Sequence, residues 1–190
     1  MNNHMEIPWH EYTNKDSKVK IENASLTEKS SIIGRIGLML LACGTGAWRV
    51  RSSMNTIASE LNITCIADIG LTNISYTCID GIESHAQSLS LHNTSVNTSK
   101  LARMEDFVYH FKDECKTCTC NEIHNQLDQI ESIHSSYSPI ILGLAAALAC
   151  SCFTFLLGGG PIEMLCAFVG AGLGNALRMK LIKHNYTLFL

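Results

Sequence analysis

Residues Ser138 to Lys183 read SPIILGLAAALACSCFTFLLGGGPIEMLCAFVGAGLGNALRMKLIK, and the fold is decided by how this stretch is taken. From Ile140 to Leu157 eighteen residues pass without a charge, and Gly158-Gly159-Gly160-Pro161 follows. A second apolar run goes from Ile162 to Leu177, broken only by Glu163 and Asn175. At ~1.5 Å per residue the first run covers roughly 27 Å, near the thickness of a bilayer's hydrocarbon layer. The pattern predicts a transmembrane α-helical hairpin in an integral membrane protein. Its spans fall at about 139–157 and 161–177, and a third opens at 186–190. Arg178, Lys180 and Lys183 follow the second run, and the glycine turn holds no Lys or Arg. Positive-inside bias then places both ends of the hairpin in the cytoplasm, the N-terminal part with them.

Upstream the composition is unlike this. The chain has 190 residues and a net charge of −3, which gives no bulk positive field for nucleic acid. Nine cysteines are present, but the number is odd, the N-terminus MNNHMEIPWHEYTNKD has no apolar signal core, and Cys150, Cys152 and Cys166 lie in the apolar runs. Reduced thiols in a cytosol-facing domain fit this better than a disulfide framework. Residues 1–26 read as a polar tail, 27–135 as a cytoplasmic α+β domain and 138–190 as the membrane segment.

Within 27–135, Thr27 is placed to cap a helix that contains the apolar run Ile32–Cys43, IIGRIGLMLLAC. That run is too short to span and carries Arg35, so it reads as a buried helix. Gly44-Thr45-Gly46 ends it. Val50, Met54, Ile57, Ala58 and Leu61 recur at helical spacing and predict a second helix over 47–61. Residues 63–69 and 73–79 alternate and are rich in β-branched side chains, which predicts a hairpin. Asp80-Gly81 marks a turn, and 88–92 is read as a returning third strand. Leu101, Met104, Phe107, Val108 and Phe111 predict a helix over about 99–111. A last helix starts at Thr119, which stands at capping-box spacing from Glu122.

Candidate chemistry in this part is sparse. Cys115-x-x-Cys118-x-Cys120 lies between His110 and His124, but a second Cys-x-x-Cys is absent, so incidental loop thiols are preferred over a metal site. Asp68, Asp80 and Asp106 come with no nucleophile motif or phosphate loop, and Ile32-Ile33-Gly34-Arg35-Ile36-Gly37 lacks the third glycine and the preceding strand of a dinucleotide fingerprint. No catalytic residue, cofactor or metal ligand is assigned. Trp48 is read as a packing anchor. Arg49 has two readings: a solvated helix face, or a partner for an anion or an acidic group.

The order of features resembles the N-terminal part of the threonine/serine exporter (ThrE-like) family, including its succinate or dicarboxylate exporter branch. Three places carry the resemblance: the segment Gly44-Thr45-Gly46-Ala47-Trp48-Arg49-Val50-Arg51, the following hairpin that ends at Asp80-Gly81, and the small-residue stretch Gly143–Leu157 running into Gly158-Gly159-Gly160. Gly44, Arg49 and Val50 match the family segment; Gly46 and Arg51 stand where the family often has acidic residues. Family members carry several more membrane helices than the two expected here. The resemblance therefore implies a component of an inner-membrane exporter of threonine and serine or a dicarboxylate such as succinate, and not an enzyme. It also implies partners: further helices from a partner subunit or a missing C-terminal part, the lipid bilayer, and an oligomer around a small-molecule substrate.

In the apolar segment, Gly143 with Ala147, Ala145 with Ala149, Ala167 with Ala171 and Gly170 with Gly174 are each four apart, a spacing that lets helices approach closely. Ser151, Thr154 and Asn175 are the polar groups at depth. They read either as pathway residues or as groups bonded within their own helices. The rival to transport is a membrane-anchored binding or regulatory domain, or a truncated remnant.

Overall fold

The computed structural model describes residues 7–11, 19–91, 96–115, 117–133 and 138–183. The chain divides into two compact units, Met1–Ser135 and Ser136–Leu190.

The first unit is α+β. Its elements run α1 (Leu26–Ala42), α2 (Ala47–Glu60), β1 (Thr64–Ile69), β2 (Asn73–Asp80), β3 (Glu83–Ser90), α3 (Thr98–Glu114) and α4 (Cys120–Glu131). The three strands form an antiparallel meander with β2 in the middle. The third strand starts at Glu83 rather than at 88, because pairing with β2 extends through residues ESHAQ that carry no strand signal of their own. Gly81, at φ +58°, takes the left-handed conformation of the tight turn before it.

One helix organises the unit. α1 packs on β2 and β3 of the sheet and on the helices α2, α3 and α4. Ile32, Ile33, Ile36 and Leu40 are fully buried as a result, and so are Ser30 and Ser31. The helix starts six residues before its apolar run. Ser25 is its N-cap, in a capping box with Glu28, so Thr27 falls in the first turn instead of at the cap. Two glycines let neighbours come close: a Cβ on Gly34 would lie 2.1 Å from the Tyr76 hydroxyl of β2, and one on Gly37 would lie 2.6 Å from the Met54 sulfur of α2. The sheet buries Cys65, Ala67, Ile74, Tyr76, Cys78 and Leu89 against these helices. Buried Lys29 directs its ammonium to the Leu61 carbonyl at the end of α2 (3.4 Å), where the helix dipole favours a cation.

The second unit is a pair of antiparallel helices, α5 (Pro139–Leu156) and α6 (Pro161–Lys183), turned at Gly158, which has φ +88°. The expected transmembrane hairpin is corrected here. Among the described residues no helix is long and apolar enough to cross a membrane. The hydropathy of the sequence hid two limits. α5 stops after 18 residues, which at ~1.5 Å per residue is roughly 27 Å and leaves it at the lower limit of a crossing. α6 is longer, at 23 residues, but Glu163, Asn175, Arg178, Lys180 and Lys183 leave it only a short uninterrupted apolar core. The third span expected at 186–190 lies outside the described residues.

Candidate functional site

Three places in the fold gather polar chemistry. The first surrounds Arg35, which is only 2% exposed in the middle of α1. Its guanidinium bonds Asp128 and, at 2.7 Å, Glu131, and it donates to the His124 carbonyl at 3.1 Å. Trp9 stacks under it, 5.9 Å from ring centre to guanidinium carbon. Residues 124, 128 and 131 share one face of α4 because they are four and three apart. This makes the cluster a consequence of two helices lying side by side.

The tautomer of His124 follows from its neighbours. Arg35 can only donate, and its Nη1 lies 3.3 Å from His124 Nδ1, so Nδ1 accepts. Nε2 then carries the proton and donates to Ser31 Oγ (3.1 Å), which in turn donates to the Glu28 carbonyl (2.7 Å). Protonating Nδ1 would aim an N–H at a guanidinium inside the protein. Burial first, and then the charges of Arg35 and His10, therefore push the imidazole down to about 3, against a smaller pull from Asp128. His10 reaches the same face of α4: its Nε2 donates to Asp128 Oδ2 (2.9 Å) and its Nδ1 lies 3.0 Å from Asn121 Oδ1. Burial opposes ionisation of Asp128, but the hydrogen bonds from Arg35 and His10 prevail and hold its carboxyl below the usual range.

This geometry sets a pH dependence. The unfolded imidazole takes up its proton near pH 6.5, whereas the folded one resists until about 3. The unfolded state thus binds more protons throughout that window, and stability present above pH 6.5 is lost as pH falls. Asp128 acts in the same direction at lower pH. Urea unfolding should show stability falling by about 1.4 kcal/mol per pH unit below 6.5 from this one group. In His124→Gln the slope between pH 6 and 4 should flatten; an unchanged slope would place the titration elsewhere.

The second place is the corner between α1 and α2. Gly44 has φ +78°, a left-handed conformation that favours glycine, and a Cβ there would also press on Val96 Cγ2 at 3.3 Å. Val50 is fully buried in the core. Arg49 is exposed, pairs with Glu105 of α3 at 2.8 Å, and lies over the Trp48 ring at 5.6 Å. Trp48 is itself 71% exposed, so it does not anchor packing as expected. Arg51 points the other way and donates through Nε to the Ala67 carbonyl of β1 (3.1 Å).

The third place is the seam of the α5–α6 pair. Gly143, Ala147, Ser151 and Thr154 on α5, with Met164, Phe168, Ala171, Gly172 and Asn175 on α6, are among its buried or half-buried positions. Asn175 lies against Gly143, its Nδ2 3.4 Å from where a Cβ would stand, and that nitrogen has no hydrogen-bond partner among the described residues. Thr154 Oγ1 donates to the Cys150 carbonyl one turn back (2.9 Å). Ser151 and Thr154 lie toward the glycine turn, whereas Asn175 sits about 12 Å further along the seam at the Gly143 level. The structure thus puts all three on one interface but does not bring them together.

Residues 31–190 match the ThrE family of threonine/serine exporters. The chain belongs to this family. No curated protein and no solved structure matches it. The ThrE match begins within α1 and runs through both units, so it takes in Arg35 with its partners on α4, the Gly44–Val50 corner and the seam, while Trp9 and His10 precede it. ThrE is a transporter family, and its exporters work at membranes. Cys115 and Cys120, near the middle of the match, are pushed up to about 12, chiefly by burial. At neutral pH both are protonated thiols and poor nucleophiles. Among the described residues no group of three or more His, Cys, Asp or Glu side chains is arranged to hold a metal ion.

The sequence missed His124, Asp128 and Glu131 as a set. A signal was there: they run beside the apolar stripe Ile123, Leu127, Ile130 with the same four-and-three spacing. A stripe of charge shifted by one residue from a stripe of core is what a helix shows when its edge meets a buried cation.

Proposed function

We propose that this ThrE chain is a component of an exporter of small polar metabolites, threonine and serine or a dicarboxylate such as succinate. The match over residues 31–190, which leaves no large part of the chain outside the family, carries this reading. The first unit faces the cytoplasm in this proposal, in keeping with its free cysteines. The α5–α6 pair contributes surface to a larger assembly that includes helices of a partner subunit and surrounding lipid. Its outward side chains, among them Leu144, Leu148, Phe153, Leu165, Leu173 and Leu177, are each more than half exposed and call for such a cover. A Cβ on Gly170 or on Gly174 would meet nothing within 4 Å, so that face of α6 is free to receive another helix.

Deleting the gene should raise intracellular threonine, serine or succinate after a dipeptide or carbon load, and restoring it should lower the pool again. Unchanged efflux of all three sinks the transport reading and leaves a binding or regulatory role. The seam offers a sharper test. The amide nitrogen of Asn175 has no hydrogen-bond partner among the described residues, so Asn175→Leu should leave the folded protein at its normal level. If the amide serves the transported molecule, efflux should fall roughly tenfold, the effect of losing about 1.4 kcal/mol of interaction with a polar solute. Ser151→Ala and Thr154→Val should fall less, because the Thr154 hydroxyl is already bonded to its own helix.

A further inference from the structure

Two of the nine cysteines face each other across the sheet. Cys65 of β1 and Cys78 of β2 are directly paired in the antiparallel register. Antiparallel pairs alternate between hydrogen-bonded and non-hydrogen-bonded positions, and the turn tells which this is. The Gly70 amide donates to the Asn73 carbonyl at 2.8 Å, closing the hairpin with a hydrogen-bonded pair. Counting back along the register, 68 with 75, 66 with 77 and 64 with 79 are of that kind. Cys65 with Cys78 is therefore a non-hydrogen-bonded pair, in which the Cα atoms come to about 4.5 Å and the side chains are closest. That separation lies inside the ~4.4–6.8 Å range a disulfide requires.

Both side chains point to the same, buried face of the sheet, with Cys65 8% and Cys78 0% exposed. β1 is an edge strand, so the pair joins the margin of the sheet to its middle strand. Nothing in the exporter reading uses it.

We propose that Cys65 and Cys78 are a redox pair that closes to a cross-strand disulfide when the protein meets a hydroperoxide, and reopens on reduction by a thiol. The two sulfurs are not equivalent. The hydrogen bond from Cys65 holds the Cys78 thiol below its usual range despite burial, and the same bond, with burial, pushes Cys65 up. Cys78 is assigned the first attack, an order that dimedone capture in Cys65→Ser decides. Its thiolate displaces on the peroxide oxygen, the O–O bond breaks, and the leaving hydroxide takes up a proton to depart as water. The resulting sulfenic acid is attacked by the Cys65 sulfur: the S–O bond breaks, an S–S bond forms, and a second water leaves with the thiol proton. The two thiols lose two electrons between them, and hydrogen peroxide is reduced to water. Because Arg51 of the family segment hangs on the Ala67 carbonyl, a staple two residues away fixes the strand that holds it.

The test uses the full-length protein treated with hydrogen peroxide, then unfolded in iodoacetamide without reductant and cut beside Tyr76, between the two cysteines. The expected result is that the fragments carrying Cys65 and Cys78 stay joined until dithiothreitol is added. They should join before any link forms to Cys43, Cys115 or Cys120. In Cys65→Ser, the Cys78 sulfenic acid should persist long enough to be captured by dimedone. Recovery of both cysteines as alkylated thiols, or their linkage only to other cysteines, overturns the proposal. Should Cys65→Ser fail to fold, the map of the unmutated protein decides alone.

Discussion

Replacing Gly34 with alanine is expected to destabilise the first unit by about 3 kcal/mol, a Tm fall of roughly 10–20 °C for a domain of this size. Two effects compete. Alanine in a helix interior gains about 1 kcal/mol over glycine from the unfolded chain. Against that, the new methyl would stand 2.1 Å from the Tyr76 hydroxyl, 2.5 Å from Cζ and 2.8 Å from Cε1. The ring has no room to swing, because its hydroxyl is tied to the Ser30 carbonyl (2.9 Å) and to the Gln87 side chain (2.6 Å). Either α1 lifts off the sheet or Tyr76 leaves both partners, and each outcome exposes or strands buried groups. Gly37→Ala is the internal control. Its methyl meets the Met54 thioether, a flexible side chain that can move aside, so the two effects there should nearly cancel. Urea unfolding of both variants checks the contrast. A double-mutant cycle with Tyr76→Ala should return a large part of the Gly34→Ala loss as coupling. If Gly34→Ala unfolds within 0.5 kcal/mol of the parent, α1 and β2 are not in the close contact described.

How much of this was legible in the chain depends on the range of the forces involved. Local signals read true: Thr119 caps α4 through Glu122, and the apolar stripe of α2 is buried at Val50, Met54, Ile57 and Ala58. Both arise within one or two helical turns. Signals that rest on pairing were faint. Residues 83–87 become a strand because β2 offers them a ladder, and Ser25 becomes a cap because α1 extends beyond its apolar run. Gly34 was visible only as one of two glycines in a helix, since its reason is a tyrosine 42 residues later. The hairpin was misread for a different cause. Hydropathy counts apolar residues, whereas crossing a membrane needs length and an unbroken apolar surface together, and no helix among the described residues combines them. Of the candidate site residues, the left-handed turn at Gly44 could be read from its glycine, but the common seam of Ser151, Thr154 and Asn175 needed the register of two helices.

The same long-range logic makes Arg35→Ala the other large effect, expected at about 3–5 kcal/mol. The size does not come mainly from stranded acids. Asp128 and Glu131 are 47% and 55% exposed, so water can take up much of what the guanidinium gave them, and their share is discounted accordingly. What cannot be replaced is inside. Arg35 lies between Trp9 and the face of α4 that carries His124, Asp128 and Glu131, satisfies the His124 carbonyl, and fixes the imidazole tautomer by donating to Nδ1. Arg35→Met separates volume from charge. It keeps the stem in the core and removes the donor, and should cost about 1–3 kcal/mol, clearly less than alanine. Losing the neighbouring charge also removes one of the causes that hold His124 low. In Arg35→Met the acid loss of stability should therefore shift and shallow, because the folded imidazole can be protonated closer to its ordinary value. Equal losses in the alanine and methionine variants, with the acid limb unmoved, would falsify this account and assign the cluster's contribution to surface ion pairing alone. The expected inequality instead ties α1, on which the sheet packs, through one buried cation to α4, on which the N-terminal turn at Trp9–Glu11 packs.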